Sequence, residues 1–213
     1  MDAAVREREF VRVAGPGACD YLQRMVSNDV EALAVGGACQ ALLLTVKGRV
    51  IAPLVVWRRG EEDFLLLTEP GLGDSVRALL TRMRLRARCE IDAEEHVSLL
   101  VFGGEGIDTG FPGAVEVLDA ALELRRIEAG VPRWGYEIDE RILPAEAGLD
   151  ATHVSFSKGC YPGQEPIARL HYRGHANRTL RVVELDGNPQ VERVTSQARR
   201  PDGSVVALAY VRT

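Results

Sequence analysis

The chain has 213 residues, 46% hydrophobic, 27% charged and only 6% aromatic, a composition that excludes disordered, collagen-like and disulfide-dense classes. No apolar run approaches the ~20 residues of a membrane-spanning helix, and residues 1–9 lack the apolar segment of a secretory signal, so a cytoplasmic protein with no membrane role is expected. A formal net charge of −5 argues against wholesale wrapping of nucleic acid while leaving room for a local basic patch.

In chain order, Phe10–Val13 reads as a strand ended by Gly15-Pro16-Gly17, and Ala18–Met25 as a helix with Tyr21, Leu22 and Met25 on one face. The apolar runs Ala38–Val46 and Val50–Trp57, joined at Lys47-Gly48-Arg49, read as a hairpin, with Asp63–Thr68 as a further strand. Asp74–Leu80 reads as a helix. In Arg82–Arg88, four arginines alternate with Met83, Leu85 and Ala87, which predicts a half-buried strand with an arginine face.

Val97–Phe102 reads as a strand, and the glycine-rich stretch Gly103–Gly110 as a loop and a seam between lobes near 92–113. That stretch does not form G-x-G-x-x-G, so a phosphate-binding turn is not expected there. Ala120–Ile127 has helical periodicity, and Val131–Phe156 is turn-rich and irregular. Gln164–Leu170 reads as a short helix, Thr179–Leu185 and Ser204–Val211 as strands, with polar turns at Asp186–Pro189 and Arg200–Gly203. Strands outnumber helices without regular alternation, which favours an α+β protein.

Four cysteines, Cys19, Cys39, Cys89 and Cys160, are scattered without metal-ligand spacing, and the histidines show none either. No metal site is expected within the chain. Only two of the 26 basic residues are lysines, Lys47 and Lys158, and each is followed by glycine. Lys158-Gly159-Cys160-Tyr161-Pro162-Gly163-Gln164-Glu165 stands apart. Two glycines and a proline impose a defined backbone around one cysteine. A nearby ammonium and the amino end of the helix at Gln164 both favour thiolate. Cys160 is thus a candidate nucleophile or soft ligand for a partner's metal, against the alternative of a buried cysteine filling a turn. From Lys158 to Arg181 the local charge is +4, leaving −9 for the remainder, which points to an anionic ligand or partner nearby.

This eight-residue motif, with Ile167-Ala168-Arg169 and Arg173-Gly174, closely resembles the signature of the YgfZ family of folate-binding proteins, relatives of the T-protein (aminomethyltransferase) of the glycine cleavage system. Ser27-Asn28-Asp29-Val30, Lys47-Gly48-Arg49, Arg126-Ile127-Glu128-Ala129-Gly130, Trp134-Gly135 and Pro144–Gly148 resemble further segments of that family. The resemblance implies a ring-shaped α+β fold ending in an abbreviated β-barrel-like lobe. On that basis residues 1–176 form the folate-binding region and 177–213 the short lobe.

The resemblance also implies tetrahydrofolate as cofactor, with Glu128 accepting hydrogen bonds from the pterin edge, Trp134 available for stacking and Arg169 at the folate side. Cys160 and Lys158 would carry the chemistry, and Gly159, Tyr161, Gly163, Gln164 and Glu165 would shape the motif. The implied function is support of iron–sulfur cluster assembly or repair in client enzymes, tRNA-modifying ones among them. Two alternatives stand beside it: a folate-dependent aminomethyl or other one-carbon transferase, and an RNA-binding accessory module making weak tRNA contact through Arg82–Arg88 and Arg169–Arg181. The transferase reading is weakened because Ala52 and Pro53 stand where the aminomethyltransferases carry paired aspartates, which removes a proton acceptor.

Overall fold

A computed structural model describes residues 2–5, 7–101, 104–107, 115–116, 119–184 and 191–213. The centre is a five-stranded antiparallel sheet built from β2 (Glu9–Ala14), β3 (Ala38–Leu44), β4 (Val50–Gly60), β5 (Asp63–Thr68) and β6 (Glu90–Glu94), in the order β3-β4-β5-β2-β6. The helices α1 (Ala18–Met25) and α2 (Gly73–Met83) cover one face, where Tyr21, Leu22, Met25, Val76 and Leu80 pack on alternate strand residues such as Val13, Leu43, Leu54 and Phe64. The other face of β3 and β4 turns Leu42, Leu44 and Val50 toward residues 138–167. Because both faces are covered, β3 ends in a continuous apolar run instead of an alternating one.

The strands β1 (Asp2–Val5), β7 (Ser98–Val101), β8 (Gly104–Ile107) and β9 (Val115–Glu116) form a second sheet, ordered β8-β7-β1-β9. Gly104–Ile107 is therefore strand where the glycine content predicts loop; Gly103 and residues 108–110 lie outside the described residues, as do Phe102 and the Asp186–Pro189 turn. A third, three-stranded sheet closes the chain: β10 (Arg178–Glu184), β11 (Val191–Arg199) and β12 (Val205–Arg212), with β12 central. Helix α3 (Asp119–Glu128) packs on β11 and β12, its Ile127 joining Val206 and Leu208 in a separate core.

A fully buried carboxylate joins α3 to that sheet. Glu137 accepts from Arg126 Nη1 at 3.0 Å, the Arg133 N–H at 2.9 Å and Ser196 Oγ at 2.5 Å, while its own carbonyl accepts from Tyr210 Oη at 2.8 Å. A charge in that position is tolerated because its oxygens are paired with a guanidinium and a hydroxyl.

One predicted strand is absent. Arg82 and Met83 end α2, and Arg84–Cys89 form an irregular turn before β6. Leu85, expected to face inward, has φ 48° and is 87% exposed. The alternation of charge and apolarity there is a coincidence of a helix end and a turn. The helix at Gln164 is longer than predicted, running Gln164–Arg173 as α5. The 131–156 stretch is irregular as expected, with a short 3₁₀ segment at Pro144–Ala147 and the single turn α4 (Asp150–His153).

Candidate functional site around Cys160

The Lys158–Glu165 motif is held from two sides. On one side, the hairpin turn after β3 is closed by Gly48 N–H to Thr45 O at 2.8 Å and Thr45 N–H to Arg49 O at 2.9 Å. Gly48 sits at φ +74° and Gly163 at φ +83°, conformations that disfavour any side chain. The two turns touch: a Cβ on Gly163 would lie 2.3 Å from Thr45 O, and one on Gly48 would lie 3.0 Å from Pro166 Cγ. Two motifs far apart in sequence thus meet backbone to backbone, and Gly163 leads directly into α5.

On the other side, Lys158 is buried, and its ammonium reaches Gln23 O at 2.5 Å, Val26 O at 2.7 Å and Asn28 O at 2.9 Å. Burial pulls its pKa down to about 8. Gln23 and Val26 belong to the carboxyl end of α1, where a cation complements the helix dipole. The same corner is tied by Ser27, whose hydroxyl donates to His153 O at 2.6 Å and accepts from Leu42 N–H at 2.8 Å, and by Asn28 Nδ2, which donates to Gln40 O at 2.7 Å. The Ser27–Val30 segment is therefore the joint between α1, β3 and the motif.

This geometry redirects one expectation. An ammonium has three hydrogens, and those of Lys158 all have main-chain acceptors, so its geometry is that of an anchor of the loop and not of a hydrogen-bond donor to Cys160. Lys158→Met is expected to destabilise the fold by about 2–4 kcal/mol, because three buried carbonyls lose a charged partner; unchanged urea midpoints would contradict the anchoring role.

Cys160 itself is exposed, whereas Cys19 and Cys39 are half-buried and Cys89 is buried, all four as free thiols. Burial raises the pKa of Cys19 and Cys89 and pushes Cys39 up to about 11, leaving Cys160 as the accessible sulfur. Among the described residues, no group of His, Cys, Asp and Glu is placed to hold a metal ion. Tyr161 is buried beneath the motif, 5.3 Å from the Lys158 ammonium, with no hydrogen-bond partner for its hydroxyl among the described residues. Gly159 is exposed, Gln164 donates its N–H to Tyr161 O at 3.3 Å, and Glu165 sits exposed in the first turn of α5.

The remaining predicted residues are distributed. Trp134 packs half-buried in the cluster that contains Tyr161, Leu42 and Tyr210. Glu128, at the end of α3, accepts from Arg200 Nε at 2.7 Å, and its side chain is 41% exposed. Arg169 is exposed on α5 and makes no ion pair among the described residues. Ala52 and Pro53 are buried in β4, and Pro53 O accepts from Thr68 Oγ1 at 3.1 Å, so no carboxylate stands there. A cavity of about 450 Å³ lies on the β2–β6 side, lined by Arg8, Phe10, Asp74, Glu94 and His96 among others; none of the expected folate residues lines it. Sequence reasoning missed Glu137 because its partners Arg126 and Ser196 come from distant elements. No helix among the described residues is long and apolar enough to cross a membrane.

The GCVT N-terminal domain family matches residues 5–105. A tRNA-modifying protein YgfZ from Serratia proteamaculans is 26% identical over 82% of this chain and 68% of its own length. A mitochondrial iron-sulfur cluster assembly factor IBA57 homolog from Mycosarcoma maydis is 29% identical over 86% of this chain, which spans 56% of that protein. The crystal structure of aminomethyltransferase T of the glycine cleavage system from Bartonella henselae superposes with a TM-score of 0.81, covering 99% of this chain and 78% of that one at 20% identity. The fold is thus that of the aminomethyltransferase T-protein, with the chain ending in an open three-stranded sheet among the described residues. The chain is similar to the tRNA-modifying protein YgfZ and shares the fold of the glycine cleavage T-protein.

Proposed function

We propose that this protein binds a folate and supports iron–sulfur cluster assembly or repair in client enzymes, tRNA-modifying ones among them, with Cys160 as the group that meets the client. The observation that carries this reading is the placement of Cys160. It is exposed, while Lys158 on one flank and Gly163 on the other fix the backbone that presents it. Fixed presentation of a thiol suits a nucleophile or a single soft ligand, and the other ligands of any cluster would come from the client. Relatives named for cluster assembly and tRNA modification support the same reading.

Tetrahydrofolate, when bound, supplies a one-carbon carrier. Glu128 offers a solvent-facing carboxylate whose Oε1 is held by a guanidinium nitrogen. The amino-pyrimidinone edge of a pterin presents parallel N–H donors much as a guanidinium does, so Arg200 and a pterin would compete for one carboxylate. Residues 1–176 would carry the folate site, with Trp134 and Arg169 at its margin, and 177–213 would form the short lobe that supplies Arg200. Titration calorimetry tests this directly. Glu128→Ala is expected to weaken tetrahydrofolate at least tenfold, since hydrogen bonds to a charged group are worth about 1.5–3 kcal/mol, and Arg200→Ala to tighten it. Indistinguishable isotherms for wild type and Glu128→Ala would remove Glu128 from the site. Aminomethyl transfer is the weaker reading, because Ala52 and Pro53 offer no proton acceptor at the place where the aminomethyltransferases carry aspartates.

A further inference from the structure

Residues 166–183 hold four arginines and no carboxylate in a chain where acids outnumber bases, 31 to 26. Elsewhere on the surface arginines are commonly paired, as in Arg12–Asp63, Arg59–Glu94, Arg77–Asp74, Arg126–Glu123, Arg141–Asp139 and Arg200–Glu184. Arg178 follows that habit with Glu146. Arg169 and Arg173 do not: both are exposed on α5 and form no ion pair among the described residues. Glu165 begins the same ridge four residues before Arg169, yet no bond joins them.

Positions 169, 172 and 173 share one helical face, and between the two arginines stands Tyr172, 66% exposed. Its ring is positioned from below. Phe156 stacks on His171 at a centroid distance of 3.8 Å and 19°, and both meet Tyr172 edge-on, at 6.0 and 4.9 Å. A tyrosine steadied by two rings yet two-thirds exposed, with an unpaired guanidinium on either side, is unusual on this surface.

We propose that this face of α5 is a docking surface for single-stranded RNA, with phosphates on Arg169 and Arg173 and a base stacked on Tyr172. Charge alone would suit an acidic polypeptide equally well. The exposed aromatic between cations decides for nucleic acid, because bases stack on aromatic faces whatever their sequence, whereas carboxylates gain little there. The same helix follows directly from the Cys160 motif, so RNA bound here would lie within reach of the thiol's client. The proposal shares Arg169 with the margin of the folate reading, while Tyr172 and Arg173 lie outside it, so the Tyr172→Ala variant tests it apart from that reading.

The probe is a fluorescein-labelled 12-nucleotide oligouridylate, followed by anisotropy from 25 to 200 mM salt. Binding at low salt is expected, falling with a log–log slope of about −1.4, from ~0.7 per phosphate contact on a single strand. Arg169→Glu/Arg173→Glu should abolish binding. Tyr172→Ala should weaken it about tenfold with the slope unchanged, because stacking is not ionic. Arg82→Glu/Arg86→Glu, at the end of α2 and on the turn after it, should leave binding intact. No binding at 25 mM salt overturns the proposal, as does equal loss in the Arg82/Arg86 variant or displacement of the RNA by polyglutamate of matched charge. Circular dichroism melting of each variant separates loss of the surface from loss of the fold.

Discussion

Gly163→Ala is expected to lower the stability of this protein by roughly 2–5 kcal/mol, combining about 1–2 kcal/mol for a side chain in left-handed backbone with about 1–3 kcal/mol for overpacking. The clash is with Thr45 O at 2.3 Å, a main-chain atom that cannot rotate away. For a chain of this size the thermal midpoint should fall by roughly 4–20 °C. Gly36→Ala supplies the control, since Gly36 has φ +86° but nothing within 4 Å of its would-be Cβ; it should lose only the conformational part. Equal losses in the two variants would show that the meeting of the Gly48 and Gly163 turns is not the constraint described above.

Cys160→Ser should show the opposite profile. The thiol is exposed and its neighbours ask nothing of it, so stability should stay within about 0.5 kcal/mol of wild type. Rescue of a strain lacking its own family member should nevertheless be lost. Iodoacetamide at pH 8 should label Cys160 well before Cys19, Cys39 and Cys89, whose pKa values are raised by burial. Full rescue by the serine variant would take sulfur out of the mechanism while leaving the fold and the folate question untouched.

Elements with clean local signals were legible from the sequence. The helix Ala18–Met25 and strand Asp63–Thr68 form with the boundaries their apolar spacing implies, and the hairpin at Lys47–Arg49 forms because Gly48 supplies the positive φ that its turn needs. Failures occurred where burial is satisfied by polar groups or by distant partners. Strand β11 carries no apolar alternation: its single buried position is Ser196, whose hydroxyl completes the Glu137 network. Arg82–Arg88 shows alternation without burial and is not a strand at all. The Lys158 motif was visible as a special segment, yet the direction of its ammonium was not, since all three acceptors lie about 130 positions earlier in the chain.

Those acceptors are peptide oxygens, and this has a consequence for how the family can diverge. Every amino acid supplies a carbonyl, so positions 23, 26 and 28 can change identity without unfastening the cysteine-bearing loop, provided the end of α1 keeps its course. The lysine has no such latitude. Homologues should therefore drift freely along the corner that receives the ammonium while holding constant the one side chain that inserts into it.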